Sequence, residues 1–550
     1  MADAVLERAA SLRREGRVEA AEDLYRTVLA QDHANTVALR ELGVLRMQGA
    51  DFAEAAELFS RLIERDPASA EAHHSLGVAL RALERPSEAA QHFEAALALD
   101  PARPEANYNL GLALTSIGRL DDARAAHERA IALRPDYAEA HNSLGVLLTR
   151  EHPERALASF HRAIEIQPNF ADAYNNIGNV LQDLGRLDEA MASYRRALAI
   201  KPDHAAAHNN VGMVLRELNR HEEAVSRFEM AQAIKPDYVE AQVNESLVRL
   251  TLGDYANGWK KYAWRRLTPG FSGGRKNPPR PLWLGHWDIA GKTILLHGEQ
   301  GLGDTIQFSR YVPLVAAKGA RIVLAVQRPL SALMASLAGV SLLRAQGDPI
   351  PPYDGYCPLP SLPLAFNTTL ESIPAQVPYL SAPPERIERW RPVFDTRGRP
   401  RIGLTWVRQP GTPYNRRRSV PLGVLGPLLN LPDLHFVALQ KEVPDDDMPL
   451  LRAGRMATFL GEQQADLADS AAMIAMLDLV ITIDTSIAHL AGAMGKPVWV
   501  LLPFSSDWRW LRARGDNPWY PTARLFRQPA PGDWQAVVEQ VVRALQVQRF

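Results

Sequence analysis

"PNFADAYNNIGNVLQDLGRLDEAMASYRRALAIKP", residues Pro168–Pro202, reads as two amphipathic helices around one turn. It carries a glycine at Gly178, an alanine at Ala190, a ring at Tyr194 and a closing proline at Pro202. The same four signals recur to either side at a period of about 34 residues, the length of a two-helix repeat. The glycines are Gly43, Gly77, Gly111, Gly145, Gly178 and Gly212; the alanines are Ala55, Ala89, Ala123, Ala156, Ala190 and Ala224. Rings follow at Phe59, Phe93, Phe160, Tyr194 and Phe228, with His127 as the exception. Small residues let paired helices approach closely, and the ring is expected to fill the space between units. Pro67, Pro101, Pro135, Pro168, Pro202 and Pro236 end the second helices, because proline lacks the amide proton and clashes with the preceding turn. One unit, at "LLTREHPERAL", is a residue short, and the deletion is expected between its helices.

At 550 residues the chain is too long for one core, so two or more domains are expected. A hydrophobic share of 46% with 23% charged residues is ordinary for a globular protein. Lys+Arg (62) nearly cancels Asp+Glu (63), which leaves a formal net charge of -1 and no general attraction for nucleic acid or an anionic membrane. Cys357 is the only cysteine, so an intrachain disulfide and a cysteine-based zinc site are excluded. The opening "MADAVLERAASLRREGR" has helical periodicity and no apolar core of a signal peptide, and no apolar run reaches the length of a membrane span. A cytoplasmic location is the expectation.

These recurring residues resemble the tetratricopeptide repeat over residues 1–265. The leading unit (Ala21, Tyr25) and the last (Ser246, Gly258, Tyr262) are degenerate, as end units tend to be. The resemblance implies an all-α superhelix whose inner face is lined by the first helix of each unit. Two positions before the glycines stand Ser75, Asn109, Ser143, Asn176 and Asn210, with Asn244 aligned on Ser246. Asn109, Asn176, Asn210 and Asn244 resemble the asparagine ladder in the repeat arm of eukaryotic O-GlcNAc transferase, where amides grip a peptide backbone. The same asparagines also serve the fold of such repeats, so both readings stay open.

From Gly270 to Leu284 glycine and proline crowd together and the period stops, as in a linker or docking loop. Short apolar runs then alternate with amphipathic segments. "TILLH" (Thr293–His297), "RIVLAV" (Arg321–Val326), "RIGLTW" (Arg401–Trp406), "HFVALQ" (His435–Gln440), "LVITID" (Leu479–Asp484) and "PVWVLLP" (Pro497–Pro503) read as buried strands. That alternation implies parallel sheets covered by helices. A break around Pro378–Pro392 divides the region into two αβ halves. Ligands bind beyond the carboxyl ends of such strands.

Three stretches lie there. "HGEQGLGDTIQFSRY" follows the first strand; Gly298, Gly301 and Gly303 permit close backbone approach, and Asp304 is expected as a helix N-cap. "GLTWVRQPGTPYNRRRSVPL" leads from Trp406 to Arg418 and Ser419. In "DTSIAHLAGAMGKPVW", Asp484 ends a strand, Thr485 and Ser486 open a helix whose amides form a phosphate site, and His489 follows a turn later. Together with the weaker "LQKE" (Leu439–Glu442), these stretches resemble the heptosyltransferase-like glycosyltransferases over residues Leu284–Arg543. The domain order resembles bacterial fusions of tetratricopeptide repeats to such a transferase.

The resemblance implies an α + α/β multidomain chain: a repeat superhelix (1–265), a linker (266–284), an N-terminal Rossmann-like lobe (285–385) and a C-terminal Rossmann-like donor lobe (386–550), the two-lobed GT-B arrangement. It implies a metal-independent, inverting glycosyltransferase with Asp304 as general base. The nucleotide-sugar donor is a substrate, no further cofactor is implied, and its diphosphate would lie on Asp484, Thr485, Ser486 and His489. Gly301, Gly303, Trp406, Arg418, Ser419, Gln440 and Lys441 are assigned to the donor as well, with Lys441 and Arg418 offsetting phosphate charge. Partners are a protein or peptide in the repeat groove, of which flagellin or another surface protein is suggested by related fusions. Those fusions carry a Gly-Asn-Pro-x-His-like segment after the tryptophan, whereas "VRQPGTPYNRRR" has no histidine. Two rival functions remain: a non-catalytic repeat adaptor, and a lipopolysaccharide or glycan transferase.

Among the other motifs, "PDDDM" (Pro444–Met448) reads as a solvated charge cluster rather than a metal site, and the Arg416–Arg418 run as surface or phosphate contact. Trp508, Trp510, Trp519 and Tyr520 read as core packing ahead of base or sugar stacking.

Overall fold

The computed structural model describes residues 2–268, 271, 280–299, 301–394, 398–408, 413–452, 458–459 and 461–549. Most of the glycine- and proline-rich stretch Gly270–Leu284, and residues 409–412 of the loop after Trp406, lie outside them. No helix among the described residues is long and apolar enough to cross a membrane. The chain forms two compact units, Met1–Pro202 and Asp203–Phe550.

The first unit is all helix, running from Ala2–Arg14 to Leu187–Ile200 in six pairs. From the second pair on, each second helix ends one residue before its capping residue and two before the proline, as at Ile200, Lys201 and Pro202; in the first pair His33 takes the proline's place. Proline also opens helices at Pro86, Pro104 and Pro153, where its missing amide proton costs nothing. The repeat glycines are required by contact. A Cβ at Gly178 would stand 2.4 Å from the Tyr194 ring, and one at Gly77 would stand 2.7 Å from Phe93. Each ring therefore closes on the glycine of its own unit, which revises the expectation that it fills the space between units. Ala89, Ala123, Ala156 and Ala190 are fully buried beside these contacts. The short unit shortens its first helix by two residues, Ala138–Leu148 having 11 where its neighbours Pro104–Ser116 and Ala171–Asp183 have 13, and lengthens the turn by one, 149–152 against 117–119.

The second unit begins with four more helices, Ala205–Glu217, His221–Ile234, Val239–Leu252 and Tyr255–Tyr262. Two parallel sheets follow. The first comprises β1 (Thr293–His297), β2 (Arg321–Val326), β3 (Leu342–Ala345) and β4 (Gly355–Pro358), in the order β3-β2-β1-β4. The second comprises β5 (Arg401–Thr405), β6 (His435–Ala438), β7 (Thr458–Phe459), β8 (Leu479–Ile483), β9 (Val498–Leu502) and β10 (Ala523–Arg527), in the order β10-β9-β8-β5-β6-β7. Every residue of β8 and β9 is buried, as a strand covered on both faces requires. Leu282 adds an isolated parallel bridge to Tyr356 outside β4, and the adjacent Trp283 is buried.

The final repeat helices are packed into this α/β body. Trp259 donates from Nε1 to the Thr368 carbonyl at 3.1 Å, and Trp519 donates to the Tyr255 hydroxyl at 2.9 Å. Tyr255, Trp259, Phe308, Trp508 and Trp519 meet mainly edge to face, with Phe308 stacked on Trp508, so the tryptophans assigned to core packing are core. Arg265 reaches both Glu299 oxygens at 2.9 Å, a buried bidentate pair just past β1.

His127, the odd ring of the repeats, has no hydrogen-bond partner on either nitrogen. Burial alone lowers its pKa from 6.5 to about 4. Between those values the unfolded chain takes up a proton that the folded imidazole refuses, so stability falls as pH drops through the window. The loss amounts to about 3 kcal/mol when fully developed. His127→Phe, which restores the ring of the other units, is expected to raise the melting temperature and to flatten its decline between pH 6.5 and 4.

Candidate functional site

A cleft of about 660 Å³ lies in the second unit where strands from both sheets end. Its wall is made by the stretches that leave β1 (Gly301–Asp304), β5 (Val407, Arg408), β6 (Leu439–Glu442), β8 (Asp484–Ile487) and β9 (Asp507, Arg509). Parallel strands deliver their loops to one edge, which is why so many polar residues distant in sequence converge there.

The glycine-rich turn after β1 leads into the helix Leu302–Ser309, whose N-cap is Gly301. Asp304 is therefore not the cap that its sequence position suggested. It lies in the first turn, with its carboxylate folded back over Gly301, where a Cβ would stand 2.9 Å from Oδ2. The glycine is needed for that approach. Asp304 is also ion-paired to Arg509. Arg509 donates from Nη1 to Asp507 at 2.7 Å and from Nε to Gln307 at 2.8 Å, and lies over the Trp508 ring at 4.4 Å. Burial works against the Arg509 charge, but Asp304 and Asp507 more than offset it and its pKa rises. Burial alone would push Asp507 up; Arg509 and Arg418 instead bring it below the usual carboxylate range, to about 2.

At the third stretch, Thr485 caps the helix Ser486–Ala493 by accepting from the Ile487 amide at 3.3 Å. Part of the anion capacity expected of this helix mouth is thus already satisfied. Asp484 is paired with Arg418, both of them buried, so Arg418 neutralises a carboxylate rather than waiting for a phosphate. Arg408 donates to the Asp484 carbonyl at 3.3 Å. Among the described residues, Arg408 and Lys441 are the cleft-lining cations without an ion pair. His489 lines the cleft but is buried, bonded through Nδ1 to the Tyr520 hydroxyl at 3.0 Å and stacked on Trp510. Burial and the nearby Arg509 charge hold its pKa well below 6.5, so the ring is neutral.

Trp406 and Ser419, expected on the donor, are not part of the cleft wall. The Trp406 ring is fully buried and donates to Asp447 at 2.8 Å, which gives the "PDDDM" loop a bracing role. Ser419 accepts from the Arg408 amide at 3.0 Å and so shapes the turn that presents Arg408. Gln440 lines the cleft, bonded through Nε2 to the Val407 carbonyl at 3.0 Å. Arg408, Asp507 and Arg509 were missed from sequence. Arg408 had a legible signal, a cation three residues past the end of β5; Arg509 was masked by the tryptophans flanking it.

The four ladder asparagines are half-buried on their helices. Asn109 lies 3.2 Å from His74, Asn176 donates to Asn142 at 3.0 Å, and Asn244 donates to Asn209 at 3.0 Å. In each case the partner stands in the preceding unit, so these amides tie neighbouring units together. Asn210 accepts from the adjacent Asn209 at 3.2 Å.

Comparison with known proteins assigns the first part of the chain. Tetratricopeptide-repeat family models match residues 40–104, 76–138 and 108–151, and a further one matches 169–237. These segments are tetratricopeptide repeats. The chain is 28% identical over 323 residues to Protein FlbA of Caulobacter vibrioides, an alignment covering 54% of this chain and 53% of the other. The chain thus spans about half the length of that curated relative. Among solved structures it is similar to MamA (30% identity, 30% of this chain and 96% of the other, TM-score 0.28). It is also similar to YrrB, a repeat protein described with an unusual peptide-binding site (27% identity, 34% and 96%, TM-score 0.28). A thermophilic repeat protein of Thermus thermophilus is 27% identical over 33% of this chain and all of its own, with a TM-score of 0.30.

The cleft depends on a second close approach. A Cβ at Gly303 would stand 2.7 Å from His489 Cδ2, and Trp510 and Tyr520 leave that ring no room to retreat. Gly303→Ala is expected to destabilise the protein by about 1–3 kcal/mol through overpacking, read as a fall in denaturation midpoint. An unchanged midpoint would show that the helices Leu302–Ser309 and Ser486–Ala493 are not closely packed in solution.

Proposed function

We propose that the α/β body is a glycosyltransferase that moves a sugar from a nucleotide-sugar donor to a hydroxyl of a protein recruited by the repeats. The observation that carries the reading is the convergence on one cleft of Asp304, the Ser486–Ala493 helix mouth and the cations Arg408 and Lys441. A carboxylate opposite an anion-binding wall suits displacement at an anomeric carbon. Asp304 takes the proton from the acceptor hydroxyl, whose oxygen bonds to the anomeric carbon as the bond to the diphosphate breaks. The electron pair leaves on the diphosphate, where Arg408, Lys441 and helix-mouth amides offset the charge. The resemblance of the sequence to two-lobed heptosyltransferase-like enzymes supports this reading, and the repeats support a polypeptide partner. The engagement of Asp304 by Arg509 favours a second reading, a non-catalytic adaptor.

Incubation of the protein with a panel of nucleotide sugars, with nucleotide release and melting temperature as readouts, tests the proposal. A donor at a hundred times its dissociation constant adds about 2.7 kcal/mol of stability. Asp304→Asn is expected to cut turnover by about a hundred- to ten-thousand-fold, the usual loss for a general base. Neither turnover nor stabilisation across the panel would favour the adaptor, and full turnover in Asp304→Asn would remove that residue from the chemistry. For the repeats, replacing Asn109, Asn176 and Asn244 together by alanine is expected to lower the unfolding midpoint, since each substitution removes a bond of about 1 kcal/mol.

A further inference from the structure

Asp304 as a base and Asp304 as the partner of Arg509 are in tension, because the guanidinium holds Oδ1 while Oδ2 is folded over Gly301, which leaves the carboxylate turned away from an acceptor hydroxyl. Something has to draw Arg509 away before the proton is taken. The geometry of the three side chains indicates which bond gives. The side chains of Arg509, Asp507 and Asp304 are 11%, 21% and 28% exposed, so Asp304 is the most open of them to the cleft. Asp507 is held doubly, since it also accepts from the Arg509 amide at 3.1 Å and caps its own short turn. Gln307 fixes the third side of the guanidinium. Nη2, the arm on Asp304, is the one that can exchange partners while the other two stay in place.

Resting on the reading that a nucleoside diphosphate occupies this cleft, we infer that Arg509 is a positioning residue shared in turn by Asp304 and the donor's diphosphate. In the structure its Nη2 holds the Asp304 carboxylate, which lies over Gly301. When a diphosphate enters, a phosphate oxygen takes Nη2, and Asp304 is left as an unpaired carboxylate facing the acceptor. The exchange conserves charge pairing at each stage: the anion that enters replaces the anion released, so the buried guanidinium is never stranded. It also makes the base competent only when the donor is in place, which protects the chemistry from running out of order.

Linkage makes the inference testable by binding alone. If Asp304 and the diphosphate compete for one donor group, removing the Asp304 charge must tighten diphosphate binding. Calorimetric titration of the full chain with UDP, GDP, ADP, CDP and inorganic pyrophosphate provides the measurement. Asp304→Asn is expected to bind the preferred diphosphate about tenfold more tightly than the wild type, within the usual range of such couplings. Asp466→Asn is the control: it removes the same charge from the same cleft wall, and asparagine still caps the helix Leu467–Ala475. It is expected to change affinity much less. Unchanged affinity in Asp304→Asn, or equal tightening in Asp466→Asn, would overturn the partner exchange and leave the transferase reading standing. Failure of every diphosphate to bind wild type and variants would overturn both.

Discussion

The guanidinium of Arg509 is the constraint on which the cleft depends. A charge taken this far from water is tolerated only if carboxylates and hydrogen bonds replace its hydration. Asp304, Asp507 and Gln307 supply that replacement, and each is thereby fixed in place. Gln307 and Asp304 belong to the helix after the glycine-rich turn, whereas Asp507 and Arg509 follow β9 of the other sheet. One side chain thus couples the two sheets across the site.

The underside of that guanidinium rests on Trp508, and Trp508 packs on Trp259 and Tyr262 of the last repeat pair. Arg265, just beyond that pair, grips Glu299 at the start of the glycine-rich turn. The end of the repeat array is therefore a structural member of the cleft. Shifting Trp259 would displace Trp508, and with it the cation that orients Asp304. The preceding pair is attached as well, since Asn219 donates to the Phe504 carbonyl at 2.8 Å and Ser505 donates to the Arg216 carbonyl at 3.2 Å, in keeping with a second unit that starts at Asp203.

How much was legible in the sequence follows from where each signal is generated. The repeat period was legible because it is enforced by contact: a ring on a glycine leaves no alternative residue at Gly77 or Gly178. Strands β1, β2, β5, β6, β8 and β9 were legible because all of them lie inside their sheets and each carries a run of buried apolar residues. The strands that went unread are β3, β4, β7 and β10, which are the four edges. An edge strand pairs on one side only, so it tolerates Arg344 in β3, a closing proline in the otherwise buried β4 and two arginines in β10. At the site, glycine spacing exposed the turn carrying Asp304, but no local pattern encodes an ion pair between residues 205 positions apart. Trp406 was misread for a related reason: a tryptophan at a strand end looks like a stacking surface until Asp447 is seen to hold its indole nitrogen.

The isolated bridge from Leu282 to Tyr356 has a consequence for how the folded protein behaves in a crowded solution. A parallel sheet with a bare edge exposes a row of amides and carbonyls onto which another chain can add a strand. Here Trp283 donates its amide to the Tyr356 carbonyl at 2.8 Å, and the Tyr356 amide is taken by the Pro281 carbonyl at 3.1 Å. The outer rim of β4 is consequently closed by the chain's own approach segment, with the proline Pro281 offering no amide of its own for propagation. On the opposite rim, β3 is only four residues long and carries a cation, a poor template for strand addition. The first sheet is in this way guarded at both rims against edge-to-edge strand addition, and because Trp283 is itself buried in the core, the same residue that closes the rim also anchors the fold.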